Sequence, residues 1–362
     1  MTCRICAEIK LLAVWLFVCV SVAVGEQETD APVVFSLKAP HANKVELCGE
    51  WAKQNIPMNR GDDGTWSVSL ESVPAGIWQY SFSVDGVKVL DPSSLAIRPQ
   101  PEFRKSVLQI PSAPPAPWDW QDIPHGTLHG HEYQSKALDT RRELAVYTPP
   151  GYEADSAKRF PLLVLQHGAG GNQLSWIERG KAHWILDHLI DAGKARPMIV
   201  LMMNGHSGEL APPGDKARRA RGAEAFRREL FEDALPLLEK NYRLAEGREH
   251  RAIVGLSMGG WQSLTIGLNA LDRFAWVGAF SSSADVEAVQ PVLDAPQKSN
   301  EKLKLLWLAC GRNDRFLNGN EAIVGALSSS GIHHHWHLTD GSHSWPVWRS
   351  YLVEIAPLLF QE

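Results

Sequence analysis

The chain carries a serine between glycines, Gly255-Leu256-Ser257-Met258-Gly259, then Cys310-Gly311-Arg312-Asn313-Asp314, then Gly341-Ser342-His343. Serine, carboxylate and imidazole in that order are the groups that nucleophilic acyl transfer requires. A serine hydroxyl attacks poorly near neutral pH unless a base lies within hydrogen-bond reach and a third group holds that base in the right tautomer. Ser257 is therefore the expected nucleophile, His343 the base and Asp314 the acid. Asp340 competes for the last role but lies too close in sequence to His343 to reach around the imidazole. The tetrahedral intermediate also needs amide donors for its oxyanion. The loop His167-Gly168-Ala169-Gly170-Gly171 supplies a candidate, so the hole is assigned to the amides of Met258 and Ala169, with Gly168 as the alternate. Because the base must be neutral to accept a proton, activity is expected to fall on the acid side.

These groups need particular elements to carry them. The apolar run 252–256 leads into Ser257, and 258–271 has helical spacing, which is the strand, sharp turn and helix of a nucleophile elbow. Further strands are expected at 144–148, 161–166, 198–204, 276–281, 303–309 and 333–338, and helices at 223–242 and 347–360. Apolar strands alternating with helices predict a mostly parallel sheet covered on both faces, beginning near residue 130. The Gly-rich loop then follows one strand, Asp314 a later one, and His343 the last.

The preceding segment reads differently. Residues 26–110 show short alternating runs (Val45 and Leu47; Trp66, Val68 and Leu70; Trp78, Tyr80, Phe82 and Val84) with Asp85-Gly86 as a tight hairpin signal. This predicts a small all-β, immunoglobulin-like sandwich without a catalytic constellation. Residues 111–129 hold Pro111, Pro114, Pro115, Pro117 and Pro124 with Trp118 and Trp120, the composition of a semi-rigid linker whose tryptophans pin it to one domain. The catalytic domain is expected over 130–362. Residues 1–25 combine Arg4 and Lys10 with an apolar run too short to span a bilayer and small residues at the end, so a cleavable signal peptide and a secreted or periplasmic protein are expected.

The remaining features argue against other classes. A formal net charge of -5 spread along the chain offers no footprint for nucleic acid or an anionic membrane. The basic stretch from Lys216 to Arg221 reads as a solvated loop. Loss of the signal peptide leaves Cys48 and Cys310, expected as buried free thiols. His333, His335 and His337 would share one strand face with His334 on the other, and zinc would also want a supporting carboxylate or thiolate, so a structural or solvated strand is expected; no metal or other cofactor is implied. Fourteen tryptophans are several times the usual share. Trp176, Trp261, Trp345 and Trp348 lie near the motifs and, with His206, are candidate walls for a flat sugar or phenolic group.

The motifs together resemble carbohydrate esterase family one, which includes feruloyl, acetyl xylan and siderophore esterases. The resemblance runs through Tyr147-Thr148-Pro149-Pro150-Gly151-Tyr152, the His167 loop, Arg251 to Gly260, Cys310 to Asp314 and His343-Ser344-Trp345-Pro346-Val347-Trp348. It implies an α/β-hydrolase fold, with Ser257, Asp314 and His343 where that family keeps nucleophile, acid and base. The N-terminal segment resembles the early-set sandwiches that precede some of these esterases and is similar to modules on starch-active enzymes, around Gly49-Glu50-Trp51. The implied function is removal of feruloyl or acetyl groups from xylan, with an acylated polysaccharide or oligosaccharide as partner. Siderophore lactone hydrolysis and acyl transfer to another acceptor would use the same triad. A non-catalytic glycan-binding protein is the remaining alternative. Oligomeric state is not legible.

Overall fold

The computed structural model of the chain describes residues 32–94, 97–98, 105–207 and 215–361. The predicted signal peptide lies outside them. Among the described residues no helix is long and apolar enough to cross a membrane.

The first nine strands are β1 (Val33–Lys38), β2 (Val45–Gly49), β3 (Ile56–Pro57), β4 (Asn59–Arg60), β5 (Thr65–Leu70), β6 (Gly76–Val84), β7 (Val87–Val89), β8 (Ile97–Arg98) and β9 (Lys105–Ile110). They form one sheet ordered β1-β5-β4 and another ordered β3-β2-β6-β9-β8, with β7 on β6. Successive side chains of a strand point to opposite faces, so the alternating apolar residues meet between the sheets. Phe35 and Leu37 pack there with Val45, Leu47, Trp66, Tyr80 and Phe82. Asp85 and Gly86, at φ 47° and 87°, make the expected hairpin turn between β6 and β7.

The proline-rich stretch is folded onto the catalytic part of the chain. Asp119 accepts the amides of Ser112 and Ala116 at 2.8 and 2.9 Å, curling the chain so that Trp118 packs on the core below. Asp187 accepts the Gly126 amide at 2.9 Å and His125 Nδ1–H at 2.9 Å. Trp118 thus pins the stretch as expected. Trp120 does not, being 59% exposed and stacked only on His125.

The second part of the chain begins with β10 (Thr127–Ser135), so the last residues of the expected linker are strand, and β11 (Thr140–Thr148) follows. Then come β12 (Leu162–Gln166), α1 (Ser175–Glu178), α2 (Ala182–Asp191), β13 (Ile199–Met203) and α3 (Lys216–Arg228). A π-helical segment, Glu229–Ala234, joins α3 to α4 (Leu235–Asn241). After these lie β14 (Arg251–Leu256), α5 (Met258–Asn269), β15 (Trp276–Phe280), α6 (Gln290–Leu293), α7 (Pro296–Lys302), β16 (Leu305–Gly311), α8 (Leu317–Ser329), β17 (His335–Thr339) and α9 (Trp345–Ile355).

The sheet has eight strands in the order β10-β11-β13-β12-β14-β15-β16-β17, antiparallel through β10, β11 and β13 and parallel from β13 to β17. Both faces are covered. Leu162 and Val164 of β12 join Leu264 of α5 and Ile323 of α8 on one side, while Leu163 and Leu165 join Ile185 of α2 and Leu352 of α9 on the other. Each such side chain contributes about 1.5–3 kcal/mol on burial. From β12 the chain passes to β13 on one side and then to β14 on the other. That reversal leaves a crevice at the carboxyl ends of β12 and β14, where open α/β sheets bind their ligands.

The basic stretch is helix rather than the solvated loop read from sequence. Asp215 accepts the Arg218 amide at 2.8 Å and caps α3, which starts at Lys216. The histidine-rich segment enters the sheet only at His335, and His337 stacks on Trp307. Among the described residues no group of three or more His, Cys, Asp or Glu is placed to hold a metal ion. Cys48 and Cys310 are free thiols, half-buried and buried.

Candidate active site

β14 ends at Leu256 and α5 starts at Met258, so the whole reversal falls on Ser257, at φ 54° and ψ −115°. A non-glycine residue held at positive φ costs on the order of 1–3 kcal/mol and persists only where its surroundings fix it. Here the Ser257 amide donates to Phe280 O at 2.8 Å, while its carbonyl accepts the amides of Trp261 at 3.0 Å and Ser283 at 3.2 Å. The flanking glycines are needed for contact. A Cβ on Gly255 would lie 2.4 Å from Gly259 O, and one on Gly259 would lie 2.5 Å from His167 O.

Ser257 Oγ is 3.0 Å from His343 Nε2, and His343 Nδ1 is 2.9 and 3.1 Å from the two Asp314 oxygens. An ionised carboxylate can only accept, so Nδ1 carries the proton and Nε2 is left to accept from the serine hydroxyl. Burial pushes the Asp314 carboxyl up, but hydrogen bonds from His343, the Phe316 amide and Ser281 outweigh it and leave the group below the usual carboxylate range. Ser281 is itself at positive φ, 45°, and accepts Trp348 Nε1–H at 3.1 Å. The hydrogen-bond chain therefore starts at Trp348, and the Trp348 ring also meets the His343 ring edge-on at 4.8 Å. Asp340 is turned away, its side chain 98% exposed and facing Arg312.

The loop after β12 lies against the elbow. A Cβ on Gly168 would come within 3.1 Å of Ser257 Cβ, so this backbone runs beside the nucleophile. Met258 is the first residue of α5, where helix amides have no intrahelical acceptor. His167 holds the loop from behind: its Nδ1–H donates to Gly168 O at 2.7 Å and its Nε2 accepts the Gly205 amide at 2.9 Å. Both contacts require the neutral ring. Burial lowers its pKa to about 4, against the opposing pull of the Gly168 carbonyl.

A cavity of about 190 Å³ opens over these groups, lined by Gly168, Ala169, Ser257, His343, Trp345 and Trp348 among the residues singled out from sequence. Trp176, Trp261 and His206, expected as substrate walls, do not line it. Trp176 is 1% exposed, donates Nε1–H to Gln166 O at 2.9 Å and supports Trp345 edge-on. Trp261 lies beneath the Arg219 guanidinium, 4.1 Å from its ring centroid. His206 packs on His167 at 5.4 Å, and burial, then Arg142, hold its pKa below the ordinary value. Their nearness to the motifs in sequence reflects packing behind the site.

Other contributors carried weaker signals. Arg219, in the basic stretch, donates to Ser283 O and Oγ at 2.8 and 3.0 Å, and so braces the residue whose amide holds Ser257 O. Arg179 and Arg315 also line the cavity. Only the position of Arg315 beside Asp314 could have pointed to it.

Comparison with known proteins gives this geometry a context. The esterase family model matches residues 135–359, and the model of carbohydrate-binding module 48, the isoamylase N-terminal domain, matches residues 23–99. An endo-1,4-beta-xylanase/feruloyl esterase of Xylanibacter ruminicola is 27% identical over 334 residues, covering 90% of this chain and 44% of its own length. The chain thus spans less than half of that curated relative. Among solved structures, a ferulic acid esterase is 26% identical with a TM-score of 0.57, covering 65% of this chain and 98% of its own. The enterobactin esterase of Shigella flexneri shares the fold over 91% of this chain and 94% of its own, with a TM-score of 0.64 at 18% identity.

Proposed function

The chain belongs to the esterase family, its N-terminal sandwich is a carbohydrate-binding module 48 domain, and on that premise we propose that it removes feruloyl or acetyl groups from xylan. The carrying observation is the alignment of Ser257 Oγ, His343 and Asp314 at 3.0 and 2.9 Å on a serine held at positive φ beside a glycine loop. No other cluster among the described residues joins a strained nucleophile to a base and a buried acid.

In this mechanism Ser257 Oγ attacks the ester carbonyl carbon while its proton passes to His343 Nε2. Asp314 stabilises the imidazolium and keeps its orientation. The carbonyl oxygen becomes an oxyanion facing the amides of Met258 and Ala169, with Gly168 as the alternate donor. Collapse breaks the bond to the alcohol, which leaves with the proton from His343. Water then attacks the acyl-enzyme, giving its proton to His343, and the acid departs as Ser257 is restored. The cavity of about 190 Å³ has room for an acyl group, so the polysaccharide would lie across its mouth between Trp345, Trp348 and the Gly168 loop.

The assignment to xylan is supported by the xylanase/feruloyl esterase relative, which matches across 90% of this chain. The same reading holds residues 1–25 to be a cleaved signal peptide and the mature protein to act outside the cytoplasm. Its division is sandwich 26–110, proline-rich connection 111–129 and esterase 130–362. The test is ferulate and acetate release from acylated arabinoxylan by the mature protein, with Ser257→Ala as control. Release that vanishes in the variant supports mechanism and substrate together. Cleavage of a simple aryl ester without either release retains the mechanism and removes xylan.

A further inference from the structure

We propose that the Ser257 cavity prefers esters on glycans that bear carboxylates, such as uronic acid substituents, and that Arg315 is the group that recognises the anion. The inference rests on the esterase reading and adds a charge requirement to it. Among the residues lining the cavity, Arg179 and Arg315 are the permanently charged ones, and no carboxylate lines it. In a chain whose formal net charge is -5, that is a local reversal of sign.

Arg315 comes to the mouth because it follows Asp314 on the turn after β16. Its side chain is exposed, with the guanidinium 5.0 Å over the Phe316 ring. Phe316 in turn meets His343 edge-on at 5.1 Å, so one aromatic ring separates the cation from the base. Asp314 forms no ion pair with it, its oxygens being engaged by His343, the Phe316 amide and Ser281. No ion pair with another described residue engages Arg315.

The second lining arginine also reaches the base through aromatic rings. The Arg179 guanidinium sits 5.2 Å from the Trp345 ring centroid, Trp345 meets Trp348 edge-on at 5.4 Å, and Trp348 meets His343. An aromatic ring beside a guanidinium favours the cation, and the N–H edge of an arginine such as Arg315 matches the two oxygens of a carboxylate. Neither an acetyl nor a feruloyl group carries a carboxylate to match this edge. A carboxylate on the sugar beside the ester matches it, as the alcohol part of the substrate must cross the mouth where Arg315 stands.

The experiment compares two acetylated xylo-oligosaccharides, one carrying a glucuronic acid and the other the same compound after reduction of its carboxyl to the alcohol. The wild-type protein is expected to prefer the acidic one by about fivefold in kcat/KM, expressed through KM, with the preference shrinking at high salt. Arg315→Gln should bring the ratio close to unity, and Arg315→Lys, which keeps the charge without the planar fork, should retain part of it. Equal kcat/KM on the two compounds in the wild type, or a ratio unmoved by Arg315→Gln, overturns the proposal. So does rapid hydrolysis of a catecholate trilactone with the acidic oligosaccharide left intact, which would assign the cationic mouth to a different anion. Cleavage of a neutral aryl ester through Ser257 tests the esterase reading separately, so the failure of one is distinguishable from the failure of the other.

Discussion

The carboxyl ends of the parallel strands and the N-terminal sandwich are both built from apolar strands, yet they hold together differently. The sandwich relies on side chains meeting between two sheets, with Leu47 and Phe82 fully buried at its centre. The strand ends rely on polar groups locked in strained or crowded backbone: Ser257 and Ser281 at positive φ, glycines whose Cβ positions are occupied, and a hydrogen-bond chain from Trp348 to Ser257. A sandwich core tolerates exchange of one apolar residue for another of similar volume. The strand ends tolerate far less, because the nucleophile, the base and the acid are each held by hydrogen bonds of fixed geometry.

That contrast can be pressed experimentally. Replacing Ser257 by Ala should lower kcat on an aryl ester by about 10⁶ while leaving the urea unfolding midpoint nearly unchanged, since one oxygen is lost from a site the backbone still holds. Asp314→Asn removes the acceptor that fixes the His343 tautomer, and a loss of about 10⁴ in kcat is expected; a loss under tenfold would mean that another acid serves the imidazole. In the other region, Phe82→Ala should destabilise the sandwich by about 3–5 kcal/mol in denaturant titration. Aryl ester turnover by that variant should stay within about twofold, as distant sites behave independently. If turnover collapses with the sandwich, the contrast between the two regions is broken.

The smallest effect concerns pH. Burial holds the folded-state pKa of His167 at about 4, below the value of about 6.5 for a free imidazole. Between those values the unfolded chain binds the extra proton and the folded one does not, so stability declines as pH falls from about 6.5 and the loss is complete below about 4. The His167 contribution to that decline is on the order of 3 kcal/mol. Unfolding free energies measured at several pH values should show a shallower decline in His167→Gln; an unchanged slope would place the responsible group elsewhere, with His183 the next candidate.

Most of the catalytic sheet was legible because β12, β13, β14, β15 and β16 are buried on both faces and read as unbroken apolar runs. The edge strand β10 was not, since residues such as His129, His131 and Glu132 hide its pairing with β11 along nine residues. The start of α3 was missed for a related reason. Its first turns hold Arg, Ala and Gly with no apolar stripe, and only the cap at Asp215 marks them. At the site, Ser257 and the glycine loop were readable because crowding leaves glycine as the only fit. Ser281 was hidden, as nothing in Ser281-Ser282-Ser283 announces a positive φ or a hydrogen bond to the acid. Trp176, Trp261 and His206, none of which lines the cavity, show that proximity in sequence to a motif also reports packing.

Asp187 fixes where this esterase could be cut and joined to other proteins. Its carboxylate, 2% exposed, accepts from His125, from the Gly126 amide and from the Tyr147 hydroxyl at 2.7 Å. A gene fusion with its breakpoint at Thr127 would remove two of those three donors, at about 1–3 kcal/mol for each buried group left unmet. It would also strip Trp118 from beneath Arg349, whose guanidinium lies 5.5 Å over that ring. A breakpoint at Pro111 keeps every one of these contacts. The portable cassette is therefore the sheet together with its proline-rich leader, and the sandwich alone is the exchangeable piece.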